Sequence, residues 1–239
     1  MKTLLATVLC SIMIALPAKA DIVTYNFTAK IETLTEYTNS LSNPMPVSNA
    51  VVRGENLSLG NAVKGSFTYD TTTRRASSQP EPKNGQVSTI YSDSFAANTL
   101  NFTFDKTKLN FHFNNDSFLV PEIHVENGSY DSLSYIYSTL QDSIHNFVKL
   151  SFSGSGDIFS DTALPATIPL DKINYDPYDF YYVFSDYSGT SRRILKVRGQ
   201  FSSVELVSIT PVPEPRGYLM LLAGLAGVGL IARRRQVRR

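Results

Sequence analysis

The chain has 239 residues, with 22 Lys+Arg against 21 Asp+Glu, 42% hydrophobic residues, one Cys and no Trp. Residues 21–211 hold 14 Lys+Arg against 20 Asp+Glu, while residues 212–239 hold 6 against 1. A mildly acidic body without a basic run excludes nucleic acid as a partner, because that binding needs Lys and Arg to neutralise phosphates.

The first twenty residues read as an export signal. Met1-Lys2 is a positive start, Leu4 to Leu16 an apolar core, and Ala18-Lys19-Ala20 a small-x-small cleavage site ahead of Asp21. Cys10 lies in that apolar core and leaves with it, so the mature chain has no thiol chemistry and no disulfide. The Sec machinery is the expected first partner. A body of roughly 190 residues can bury a core as a single domain.

Period-two alternation opens the body. Val23, Tyr25, Phe27, Ala29 and Ile31 share one face, and Thr24, Asn26, Thr28 and Lys30 the other, as in a half-buried strand. Residues 38–49 have loop composition, and Val63, Gly65, Phe67 and Tyr69 alternate again. Residues 71–86, with Arg74-Arg75, Ser77-Ser78, Pro80 and Pro82, read as a mobile loop with little to bury. Leu100, Phe102 and Phe104, a polar turn, then Leu109, Phe111 and Phe113 predict a hairpin with both apolar faces on one core.

Further strands are expected over residues 118–125, 133–137, 148–152, 178–184, 194–201 and 204–209, with turns at Asn127-Gly128 and Ser188-Gly189. Residues 139–146 could form one short helical turn. About ten short strands rich in Tyr, Phe, Thr and Ser predict an all-β ectodomain, either an antiparallel β-sandwich or a jelly roll.

Candidate chemistry in the body is sparse. His112, His124 and His145 lack the helical spacing of a zinc motif, and His112 falls on a solvent-facing strand position. Ser153-Gly154-Ser155-Gly156-Asp157 lacks the order of a nucleophile turn and reads as a flexible loop. The stretch from Asp171 to Tyr187 interleaves aromatics with carboxylates. Tyr178 and Tyr181 could stack on sugar rings while Asn174, Asp176 and Asp179 accept hydroxyl hydrogen bonds, or the carboxylates could weakly hold calcium. Against both, Tyr178, Phe180, Tyr182 and Phe184 share one strand face and read as core, with the aspartates as a solvated rim. No cofactor is implied. A glycan hydrolase, which needs two facing carboxylates, ranks below a binding module and a structural surface protein.

The last stretch is the most specific. Val212-Pro213-Glu214-Pro215 is extended and poor in amide donors, Arg216 follows, residues 217–232 are free of charge and Pro, and Arg233, Arg234, Arg235, Arg238 and Arg239 close the chain. As a helix the apolar run would cover about 24 Å, the short limit for spanning a bilayer. The arginines place the C-terminus in the cytoplasm by the positive-inside bias. The expected organisation is a signal peptide at 1–20, an ectodomain at 21–208, a Pro-rich linker at 209–216, a transmembrane helix at 217–232 and a basic cytoplasmic tail at 233–239.

Val-Pro-Glu-Pro, a short Gly/Ala/Leu-rich apolar segment and an arginine cluster, in that order, resemble the PEP-CTERM sorting signal. Arg216 departs from it, since the family usually has a small residue there. The resemblance covers about the last tenth of the chain. It implies an exported protein of a Gram-negative bacterium, held briefly in the inner membrane and then processed by an exosortase. The destination would be the cell envelope, cell surface or extracellular matrix, often in organisms that make exopolysaccharide. The alternative reading of the tail is an ordinary membrane anchor with a stiff linker. For the body, a structural or adhesive role comes first, an exopolysaccharide-binding module second and a secreted hydrolase third.

Overall fold

A computed structural model describes residues 20–38, 43–81, 86–113, 121–176, 178–189 and 192–212. Its compact body runs from Ile22 to Ile209. The strands are β1 (Ala20–Thr38), β2 (Met45–Val47), β3 (Asn49–Val52), β4 (Glu55–Ser58), β5 (Ala62–Asp70), β6 (Arg75–Glu81) and β7 (Gln86–Tyr91). They continue as β8 (Thr99–Phe104), β9 (Asn110–Phe113), β10 (Glu122–Asn127), β11 (Tyr130–Gln141), β12 (Ile144–Ser155), β13 (Phe180–Asp186) and β14 (Arg193–Val212). A 3-10 turn at Leu170–Lys172 is the one helical element among the described residues.

One large sheet has the order β6-β7-β10-β11-β12-β13-β14-β1-β5-β8-β9, with β2 pairing β1, and β3-β4 form a separate hairpin. Strands β10 to β14 follow one another as an antiparallel meander. Strand β14 then lies beside β1, which continues antiparallel into β5, β8 and β9. The first and last strands therefore meet in mid-sheet and join the two halves.

Aromatic side chains show how the sheet curls. Phe67 on β5 lies 5.6 Å from Tyr135 on β11 and 5.3 Å from Phe152 on β12. Phe102 on β8 lies 5.4 Å from Phe180 and 5.7 Å from Tyr182, both on β13. Phe113 on β9 meets Tyr137 on β11 at 5.4 Å. The halves of one continuous sheet thus face each other across a ring-filled core, and such pairs are each worth about 0.5–1.5 kcal/mol beyond the area they bury.

The all-β, antiparallel expectation is met. The alternation that predicted β1 is the observed burial pattern, with Val23, Tyr25, Phe27, Ala29 and Ile31 inside. The predicted hairpin pairs Leu100 with Phe113 and Phe102 with Phe111, all four buried. Gly65 is required by space. A Cβ there would come within 2.3 Å of the Asn101 carbonyl oxygen and 2.6 Å of the Phe27 ring.

Four expectations change. Residues 71–86 hold strand β6, which pairs with β7 from Arg75↔Tyr91 to Glu81↔Gln86. Backbone pairing stabilises that polar segment without an apolar face. Residues 139–146 form a hairpin, with Asp142 and Ser143 both at positive φ, as a two-residue type I′ turn demands. Residues 38–49 contain β2, and the two strands expected over 194–209 are one, β14.

Between β12 and β13 a long connection buries Ile158, Phe159, Ile168 and Ile173 in the core. Tyrosine hydroxyls hold it down. Tyr25 accepts a hydrogen bond from the Ile168 amide at 2.7 Å, Tyr69 donates to the Pro165 carbonyl at 3.0 Å, and Tyr91 donates to that of Thr162 at 2.7 Å. Burial raises the pKa of all three, so they remain neutral partners at physiological pH.

Candidate functional site

The aromatic and acidic stretch before and within β13 divides between the faces of the sheet. Phe180, Tyr182 and Phe184 are buried, as their alternation predicts. Tyr178 does not join them. It sits in the turn ahead of β13 and is 54% exposed.

The carboxylates largely serve the loop itself. Asp176 accepts the Tyr178 amide at 2.6 Å, and Asp179 accepts the amides of Asp176 at 2.9 Å and Phe201 at 3.4 Å. Asp179 is buried, which corrects its expected place on a solvated rim and removes it from a sugar- or calcium-facing surface. Burial pushes its pKa up to about 7, against the opposing pull of those two amides, and nearby Asp176 adds to the rise. Asn174 is exposed, with its amide bonded to the Ser153 carbonyl at 2.8 Å.

Tyr181 points to the outer face of β13. In register it lies between Lys149 on β12 and Arg198 on β14. The next row is Phe147, Val183 and Lys196. The Arg198 guanidinium is 4.4 Å from the Tyr178 ring centroid and 5.9 Å from that of Tyr181, and donates to the Tyr178 hydroxyl at 3.1 Å. Phe147 meets Tyr181 edge to face at 6.0 Å, and the Lys196 ammonium lies 4.5 Å from the Tyr37 ring.

Phe147, Lys149, Tyr178, Tyr181 and Arg198 line a shallow depression of about 240 Å³. Among the described residues Lys149, Lys196 and Arg198 have no carboxylate partner. Residues 21–211 have no basic run, yet the sheet assembles a basic patch. Its cations come from two strands separated by a long connection, so a window along the chain cannot bring them together.

The histidines stand apart. The His112 ring bonds Asn101 across the hairpin, and His112 is exposed as expected. His124 pairs with Glu122 at 2.8 Å. His145 Nε2 is 2.8 Å from Ser138 Oγ, a distance at which an imidazole could take a hydroxyl proton. Burial and then Arg192 lower the His145 pKa, and among the described residues no carboxylate orients the ring. No group of three His, Cys, Asp or Glu suited to a metal ion occurs among the described residues. Ser153 and Ser155 lie within β12, not in the flexible loop expected there.

Asp131 is a polar centre that the sequence reading missed. It lies on the inner face of β11, fully buried, and accepts the amides of Gly128 at 3.0 Å, Ile158 at 2.9 Å and Phe159 at 2.8 Å. It thereby ties the β10-β11 turn to the connection after β12. The signal available in the sequence was its position three residues after Gly128, where a carboxylate can reach back to a turn amide.

Of the processing residues, Ala20, Asp21 and Val212 fall in strand, with β14 carrying the backbone to Val212 inside the expected linker. Ala18, Pro213, Glu214, Pro215, Arg233, Arg234 and Arg235 lie outside the described residues. So do the expected transmembrane helix at 217–232 and the basic tail; no described helix is long and apolar enough to cross a membrane. Compared with protein families, curated proteins and solved structures, the chain matches none.

Proposed function

We propose that the chain is an exported surface protein whose tail presents it to an exosortase and whose β-sheet body has a structural or adhesive, non-catalytic role. The observation that carries the reading is the order of Val212-Pro213-Glu214-Pro215, the apolar residues 217–232 and the arginines from Arg233 onward, with an export signal at the other end. The body's architecture supports it. A curled antiparallel sheet with a ring-filled core is a rigid, cysteine-free scaffold that leaves its outer face for contacts.

Carbohydrate binding is the second reading, and the outer cluster of Tyr178, Tyr181 and Arg198 favours it over hydrolysis. The sorting claim is tested by intact mass and membrane fractionation in the native host. Glu214→Ala should leave export intact and keep the full tail in the membrane, whereas the parent chain is released after about residue 215. Normal removal of the tail from the variant would overturn the proposal.

A further inference from the structure

The outer face of β12, β13 and β14 combines features that the net charge of the body does not predict. Lys149, Lys196 and Arg198 stand on it with no carboxylate partner among the described residues. Between and beside them lie Phe147, Tyr178 and Tyr181. The outward positions of these strands that flank the cluster, Ser151, Val183 and Gln200, are uncharged. Acidic residues elsewhere give the body its net negative charge, so this concentration of cations is local.

We infer that this face binds an acidic polysaccharide, a chain of uronate-type sugars laid across β12, β13 and β14. Across one row the ligand would meet Lys149, then the Tyr181 ring, then Arg198, at successive strand spacings of about 4.8 Å. A pyranose uronate has the matching alternation, an apolar C–H face that packs on a ring and a carboxylate that pairs with a cation. Arg198 is held in place by stacking on Tyr178 and by its hydrogen bond to the Tyr178 hydroxyl. Less side-chain entropy is therefore lost when it engages a carboxylate.

Two other polyanions fit less well. A nucleic acid needs cations along a longer track that follows successive phosphates, and it has no apolar C–H face to lay on the Tyr181 ring between two cations. A membrane surface needs several bulky apolar anchors that project past the headgroups, whereas Phe147 and Tyr181 are half-buried in the sheet surface and the exposed Tyr178 is tied to Arg198 through its hydroxyl.

This inference names the ligand class of the carbohydrate-binding reading of the body and rests on that reading, but its test does not involve the tail. The full chain, transferred from detergent into a non-ionic amphipathic polymer that leaves bilayers intact, is titrated with polygalacturonate, with neutral dextran, with anionic phospholipid vesicles and with a single-stranded oligonucleotide. Polygalacturonate should bind and dextran should not, and binding should weaken as NaCl rises from about 0.05 to about 0.5 M. The double variant Lys149→Gln, Arg198→Gln should lose at least about tenfold in affinity with an unchanged melting temperature. Lys196→Gln and Tyr178→Ala, made separately, should each lose part of it.

Absence of polygalacturonate binding, or binding unchanged in all these variants, overturns the inference. Equal or tighter binding of vesicles or oligonucleotide that the same variants abolish overturns it in favour of that ligand. Failure here leaves tail removal as it was, and a tail that is never removed leaves glycan binding as it was, so the two failures are distinguishable.

Discussion

The two faces of the sheet use tyrosine in opposite ways. On the inner face Tyr135 and Tyr137 bury their rings completely and direct each hydroxyl to a backbone carbonyl, Tyr135 to Thr68 at 2.8 Å and Tyr137 to Asn98 at 2.9 Å. On the outer face Tyr37, Tyr178 and Tyr181 lie beside Lys196 and Arg198. Inside, the polar tip joins distant segments and the ring is core. Outside, the rings form part of the surface, half-buried at Tyr37 and Tyr181 and exposed at Tyr178, and the cations beside them have no carboxylate partner among the described residues. An inner tyrosine is therefore a stability residue, and an outer one contributes little to stability.

The largest effect that separates the faces belongs to Asp131. Asp131→Ala strips two buried amides, those of Ile158 and Phe159, and the part-buried Gly128 amide of their acceptor and should destabilise the protein by about 3 kcal/mol or more. Urea denaturation measures it, and proteolysis should cut first within residues 156–169, the connection that Asp131 pins. A loss below about 1 kcal/mol would mean that the connection is held by its apolar residues alone.

A direct comparison of tyrosines comes next. Tyr135→Phe removes a hydroxyl that lies within reach of two half-buried carbonyls, those of Thr68 and Thr99, and should cost about 1–2 kcal/mol. Tyr178→Phe removes only an exposed contact to Arg198 and should stay within about 0.5 kcal/mol. Equal losses in urea denaturation would erase the distinction between the faces.

The same division explains what could be read from the sequence. Wherever one face is apolar and the other polar, as in residues 23–31 and the hairpin of Leu100 to Phe113, alternation reveals both the strand and its orientation. Strand β6 escaped because it holds no large apolar residue and owes its form to pairing with β7, and pairing leaves no mark on composition. At the candidate site, Tyr178 and Tyr181 were visible as aromatics with ligand chemistry. Their companions Lys149 and Arg198 were not, because register across β12, β13 and β14 supplies them. Asp176 and Asp179 looked like ligand groups, but a carboxylate beside free turn amides satisfies those first.

Asp179 stands at the seam between the faces, after outward Tyr178 and before buried Phe180, and there a pH-dependent effect sharpens the comparison. Its folded pKa, about 7, is raised from the usual 3.8 by burial. Between those values the native state holds a proton that the unfolded chain has released. The resulting stabilisation is complete below about pH 3.8 and is lost as pH rises through about 7. Tyr175 and Asp176 are the titratable groups on its own loop, while β14 presents the Phe201 amide and β12 the Ser151 amide, which bonds the Asp179 carbonyl.

His145 acts in the opposite sense. Its folded pKa is lowered, so its contribution is present above the unfolded pKa and lost as pH falls through the folded value. Asp179→Asn isolates the first effect, because the amide oxygen still accepts the Asp176 amide and the side chain mimics the neutral carboxyl. Thermal melts of parent and variant should nearly coincide at about pH 4, and at about pH 8 the variant should gain by about 4 °C. A gap that stays constant across that range would mean that Asp179 is ionised throughout, with its charge held by the Asp176 and Phe201 amides despite burial. The seam would then be anchored by a charged carboxylate.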